Sequence, residues 1–193
     1  MAYLFIVAGA FLRISSHFYN IMPFSIIAKF LPHIPNFAPI AAMALFGGVY
    51  LNKKYALIVP IIAMFVADIF IGTYNIWLMS AVYGSFILIG IIGLWVRNNK
   101  NVMNIIGATL TGSVLFFLIT NFAMWAVQPY MAQAIYPHTL QGLVDCYTMG
   151  LPFFRGTLAG DIFYVGSMFG AMELAVVIKN KYFLNNLKTI KVS

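Results

Sequence analysis

Two carboxylates lie inside long apolar runs: Asp68 in ALIVPIIAMFVADIFIG and Asp161 in GTLAGDIFYVG. A charge at the centre of a membrane helix costs on the order of 3 kcal/mol, so such a residue is a candidate functional group by default. Asn121, Trp125 and Gln128 are spaced i, i+4, i+7, which sets them on one helical face. Asn36 opens another apolar run, and His33, His138 and Arg155 lie in the connections around them. Amide, indole, imidazole, guanidinium and carboxylate groups converging within an apolar, aromatic surround describe a site for a small organic molecule. The candidate ligand-binding set is therefore Asn36, Asp68, Asn121, Trp125, His138, Arg155 and Asp161. A structural reading stands beside it. Asp161 would cap a helix or pair with Arg155, and Asp68 would bond neighbouring backbone. Glu173 is expected to snorkel towards Lys179 or water.

Catalytic and metal chemistry find no support in the spacing. The chain has no HxxxH, CxxC or HExxH, no GxSxG and no phosphate-binding loop. No enzyme activity, metal or cofactor is expected. The single cysteine, Cys146, excludes an intrachain disulfide. Its neighbour Asp145 disfavours a thiolate, so Cys146 is expected to be a buried structural residue.

The elements that must position these groups are membrane helices. Hydrophobic residues make up 63% of the 193 and charged residues only 8%, against about 25% charged in an ordinary soluble domain. The mean hydropathy is +0.93. The bilayer must serve as the solvent for so much apolar surface. The expected fold is all-α, a polytopic bundle of six transmembrane helices in a single domain, residues 1–193. The helices fall at about 2–16, 36–51, 55–71, 76–96, 102–127 and 157–178. Asn36 is the expected N-cap of the second, with Pro39 in its first turn. MAYLFIVAGAFL lacks a basic flank and reads as a first membrane helix rather than a signal peptide. Two long connections, about 16–35 and 128–156, emerge on one side and are expected to fold over it as a lid.

The net charge of +7 sits in short connections, which argues against nucleic acid as a partner. Lys53, Lys54, Arg97, Lys100, Lys179, Lys181, Lys188 and Lys191 fall on one side of a six-span topology, and only Arg13, Lys29 and Arg155 on the other. The positive-inside rule puts the lysine-rich side and both termini in the cytoplasm. Small residues at Gly156–Gly160, Gly166–Gly170 and Ala38–Ala42 mark close helix contacts, either within the bundle or with a partner subunit.

LPHIPNFAPIAAMALFGGVYLNKKYALIVPIIAMFVADIFIG, NFAMWAVQ and YPHTLQGLVDCYTMGLPFFRGTLAGD together resemble a family of small, uncharacterised bacterial membrane proteins. More distantly, the chain resembles the substrate-binding (S) components of energy-coupling-factor vitamin transporters. That resemblance implies six helices, cytoplasmic termini in a bacterial inner membrane, and a micronutrient pocket on the outer side closed by loops. It also implies a transmembrane coupling subunit with ATPases as partner. S components dock that subunit through an AxxxA face on helix one. Here helix one offers Ala8-Gly9-Ala10, and the AxxxA is Ala38 to Ala42. The leading functional expectation is an S-component-like protein that binds a vitamin-like nutrient for uptake. The rivals are a structural or assembly subunit of a membrane complex and, less supported, an intramembrane acid–base enzyme using Asp68 or Asp161.

Overall fold

A computed structural model describes residues 2–18, 39–72, 74–131 and 133–190, with backbone alone for 12, 15–18 and 184–190. Six α-helices run through the described residues: α1 (Ala2–Phe18), α2 (Ile40–Tyr50), α3 (Ile58–Ile71), α4 (Ile76–Val96), α5 (Val102–Val127) and α6 (Leu140–Ile190). Three segments are long and apolar enough to cross a membrane: Ile76–Asn99, Val102–Tyr130 and Leu140–Phe183. The first three helices are shorter. At 1.5 Å per residue, the 11 residues of α2 reach about 16 Å, roughly half of a 30 Å hydrocarbon core.

Local chemistry fixes the ends. Asn75 accepts from the amides of Trp77 and Leu78 to start α4, and Asn101 accepts from that of Asn104 to start α5. α3 stops at Gly72, whose φ of 105° suits glycine and whose amide bonds the Asp68 carbonyl at 2.8 Å. At the other end of the bundle Arg97 reaches across from α4 to the last carbonyls of α2. It donates to Gly48 at 2.5 Å, to Val49 at 3.2 Å and to Leu51. A guanidinium over a helix C-terminus satisfies orphan carbonyls and complements the helix dipole. Arg97, read in the sequence as a topology charge, is thus also the cap of α2.

α2 is the hub. Residues Ala41 to Val49 are all buried, and Phe46 meets Phe5 of α1 and Phe169 of α6 edge-on. Its closest neighbour is α4. A β-carbon on Gly48 would strike the Gly90 carbonyl oxygen and sit 2.7 Å from the Gly93 Cα, backbone against backbone. This contact, rather than the small-residue pairs read in the sequence, is the tightest helix crossing of the described bundle. Of those pairs, Gly156 and Gly160 are buried, while Gly166 and Gly170 face open space on α6. Ala42 is buried in the hub; Ala38 lies outside the described residues.

Two sequence expectations need correction. The connection expected at 128–156 is mostly helix, because α6 begins at Leu140 and the connection shortens to 131–139. Pro152 and three glycines suggested a loop. In a helix packed on α5, however, the glycines allow close approach, as at Gly150 against Asn121, and a proline removes only one hydrogen bond. The sixth helix therefore spans 140–190, not 157–178. The connection expected at 16–35 overlaps α1 as far as Phe18, and its remainder lies outside the described residues.

Candidate functional site

Asp68 and Asp161 occupy separate clusters. Asp68 is 1% exposed. Its Oδ1 accepts from Arg13 Nη2 at 2.5 Å and its Oδ2 from the Tyr83 hydroxyl at 2.7 Å. The cluster ties α1, α3 and α4 together, and both charges are desolvated. Arg13, counted in the sequence only for topology, is the partner that the residue-by-residue reading missed. The signal was there: a lone arginine near the end of an apolar run needs a counter-charge, and few carboxylates were available. Asp161 is 2% exposed. It accepts from the Ser113 hydroxyl at 2.6 Å and is packed among Ala41, Ala42, Ile89, Ala108 and Val165, with no room for a water beside it. It neither caps α6 nor pairs with Arg155, which lies six residues earlier on another face of the same helix and is exposed.

Asn121 and Trp125 face α6 and the 131–139 connection. The Asn121 amide donates to the Phe117 carbonyl at 2.8 Å, and its own backbone carbonyl accepts from Cys146 Sγ at 3.4 Å. Cys146 is buried at this helix contact. Beside Asn121 lies a cavity of about 180 Å³. Its walls are Phe116, Phe117, Phe153 and Phe154, with Thr120, Gly150 and Thr157 completing it. Trp125 stacks on His138, ring centroids 4.3 Å apart and 12° from parallel, and donates to the Pro137 carbonyl at 3.3 Å. The connection thus lies over Trp125. Asn36 and His33 fall outside the described residues.

Gln128 holds that connection. It is 1% exposed, and its carbonyl oxygen accepts from the amides of Ile135 at 2.6 Å and Tyr136 at 3.3 Å. Its amide nitrogen donates to the Met124 carbonyl at 3.2 Å. Burial, followed by the nearby charges of Cys146 and Asp145, raises the Tyr136 phenol above its ordinary value. Replacing Gln128 by Leu strands two backbone donors at a cost of about 1–3 kcal/mol each if they stay buried. Gln128→Leu is expected to make the 131–139 connection the first site of limited proteolysis, while Asn121→Leu leaves the cleavage pattern unchanged.

At the opposite end, Glu173 accepts from the Tyr50 hydroxyl at 2.6 Å and from Lys100 Nζ at 2.5 Å. Its partner is Lys100 rather than the expected Lys179, because Lys100 opens the connection into α5 directly beside α2 and α6. Burial works against the Lys100 charge, but its bonds to Glu173 and Tyr50 outweigh it and raise the ammonium above the ordinary lysine value. Lys53, Lys54, Arg97 and Lys100 therefore gather at one end of the bundle. Asp68, Trp125 and the 131–139 connection lie at the other.

Among the described residues the bundle is all-helical, and its three apolar segments of spanning length fit a membrane protein. The chain belongs to the family of unknown function DUF6580, whose profile matches residues 1–186. No curated protein and no solved structure matches it.

Proposed function

We propose that this protein binds a small, planar organic micronutrient between α5 and α6 at the end opposite its basic residues, as the first step of uptake. The cavity beside Asn121 supports the reading. Four phenyl rings supply flat apolar walls, and Thr120, Asn121 and Thr157, whose donors bond carbonyls one turn back, offer their side-chain oxygens as acceptors. At about 180 Å³ it is smaller than a drug-sized site of roughly 300–1,000 Å³, which restricts the ligand to one or two rings. The 131–139 connection is the lid of this reading, pinned by Gln128 and resting on Trp125. Lids exclude water and strengthen polar contacts beneath them. The basic end faces the cytoplasm by the positive-inside rule, and energy comes from partner subunits of the coupling type, since the chain carries no nucleotide-binding motif.

Gly150 provides the test. A β-carbon there would lie 2.5 Å from Asn121 Oδ1 and 3.0 Å from the Phe117 ring, so Gly150→Val crowds the cavity and pushes the Asn121 side chain aside, at a cost in packing. Mass spectrometry of small molecules extracted from purified protein is expected to find one compound near stoichiometric amount. In Gly150→Val its amount falls at least tenfold, which corresponds to about 1.4 kcal/mol of binding, with the variant still recovered as folded protein. Equal retention in the variant, or no compound in either, removes the proposal. One observation favours the rival assembly-subunit reading: Gly166 and Gly170 present an open small-residue face on α6. An empty cavity with one protein copurifying in stoichiometric amount would support it.

A further inference from the structure

A second concavity of the described bundle is several times the size of the one beside Asn121. It is a groove of about 1010 Å³ on the other face of α5, bounded by Trp77 and Ala81 of α4, the Leu118 to Val127 stretch of α5, Tyr130 and Tyr147. No charged residue lines it. The Tyr147 hydroxyl donates to the Leu118 carbonyl at 2.7 Å, and its ring, edge-on to Phe117 at 5.6 Å, closes one side of the groove. The floor is therefore hydrocarbon and aromatic. Ala81, Ala123 and Ala126 make it deep, because three methyl side chains stand where larger groups would fill the gap between α4 and α5.

Two features define what would occupy it. The groove is open on its outer side, where Leu118, Phe122 and Trp77 are exposed apolar residues on segments long and apolar enough to cross a membrane. Hydrocarbon can thus enter sideways from the bilayer without crossing water. Polar groups stand at one end only. Trp77 is the second residue of α4 and Tyr130 closes the turn after α5, so both sit at a helix end where indole and phenol groups meet lipid headgroups. Among the described residues the Trp77 indole N–H and the Tyr130 O–H have no hydrogen-bond partner, so both remain available as donors. We infer that this groove holds one acyl chain of a glycerophospholipid, with the ester carbonyl or phosphate of that lipid accepting from Trp77 and Tyr130. Lacking charge, the site selects for the chain and the ester region rather than for headgroup charge. It is independent of the Asn121 cavity, from which α5 itself separates it.

The test uses the full chain, delipidated in detergent and titrated in parallel with phosphatidylcholine and phosphatidylglycerol of the same acyl chains, the bound lipids being counted by native mass spectrometry. One lipid per chain is expected to bind saturably, with affinities for the two headgroups within about threefold. Ala123→Phe with Ala126→Phe, which fills the groove, is expected to weaken it at least tenfold. Leu110→Phe, on the same helix outside the groove, leaves it unchanged. Ala126→Leu gives a graded loss if the double variant folds poorly. Non-saturating uptake, alike in all variants, would make the groove ordinary lipid-facing surface and overturn the inference. Strong preference for phosphatidylglycerol would move the site to the basic end. A photoreactive residue at position 126 that labels protein instead of phospholipid in native membranes would assign the groove to a partner helix.

Discussion

Asp68→Ala is expected to cost about 3–5 kcal/mol, the scale on which removing one member of a buried ion pair destabilises a protein. The variant keeps Arg13 in a desolvated position while removing the carboxylate 2.5 Å away and the acceptor of the Tyr83 hydroxyl. Against a total stability of about 5–15 kcal/mol, most of the purified variant should fail to give a monodisperse peak in detergent. The diagnostic comparison is the double variant Arg13→Met with Asp68→Leu. Removing both charges abolishes the desolvation cost together with the attraction, so stability should return most of the way to that of the native chain. A double variant as unstable as Asp68→Ala would show that Asp68 serves something other than its pairing with Arg13.

Gly48 carries the second large effect. Gly48→Ala gains up to about 1 kcal/mol of helix propensity but places a methyl inside the backbone of α4 at Gly90 and Gly93. Overpacking that only a backbone shift can relieve costs typically about 1–3 kcal/mol and occasionally more. Here it also disturbs the Arg97 cap, which bonds the Gly48 carbonyl itself. Net destabilisation is expected, and Gly48→Val should prevent recovery of folded protein. Gly166→Ala is the matched control. Its β-carbon enters open space, so the propensity gain stands alone, and the thermal midpoint should stay level or rise. If both alanines behaved alike, α2 and α4 would not cross at these glycines.

What the sequence disclosed follows from what each signal measures. Hydropathy located all six helices of the described residues, because a long apolar run has one favourable environment. The starts of α4 and α5 fall where composition changes, and the caps found there, Asn75 and Asn101, are ones the sequence reading had not singled out. The start of α6 was hidden because Pro152 and its neighbouring glycines carry the same letters in a packed helix as in a loop. The candidate site was only partly legible. Trp125 and His138 were named separately, and their stacking follows from a connection whose path Gln128 sets. Asp68 and Asp161 looked alike as carboxylates in apolar runs, yet Arg13 answers one and Ser113 the other. Pairings of that kind depend on helix rotation and register, which hydropathy averages away.

Helix α6 carries one contact near each end and one between: Cys146 on Asn121, Asp161 on Ser113 and Glu173 on Lys100. Sliding it along α5 by a single residue would break all three together, so translation of the intact rod is the costly motion. Bending is cheaper. Pro152 lies between the first contact and the second and lacks the amide that would bond one turn back, and helices flex where that bond is missing. The natural moving part is therefore the segment from Leu140 to Leu151, swinging together with the connection that Gln128 secures, while Asp161 and Glu173 hold the remainder of α6 still. A door hinged at Pro152 would open the Gly150 edge of the Asn121 cavity and leave the basic end undisturbed.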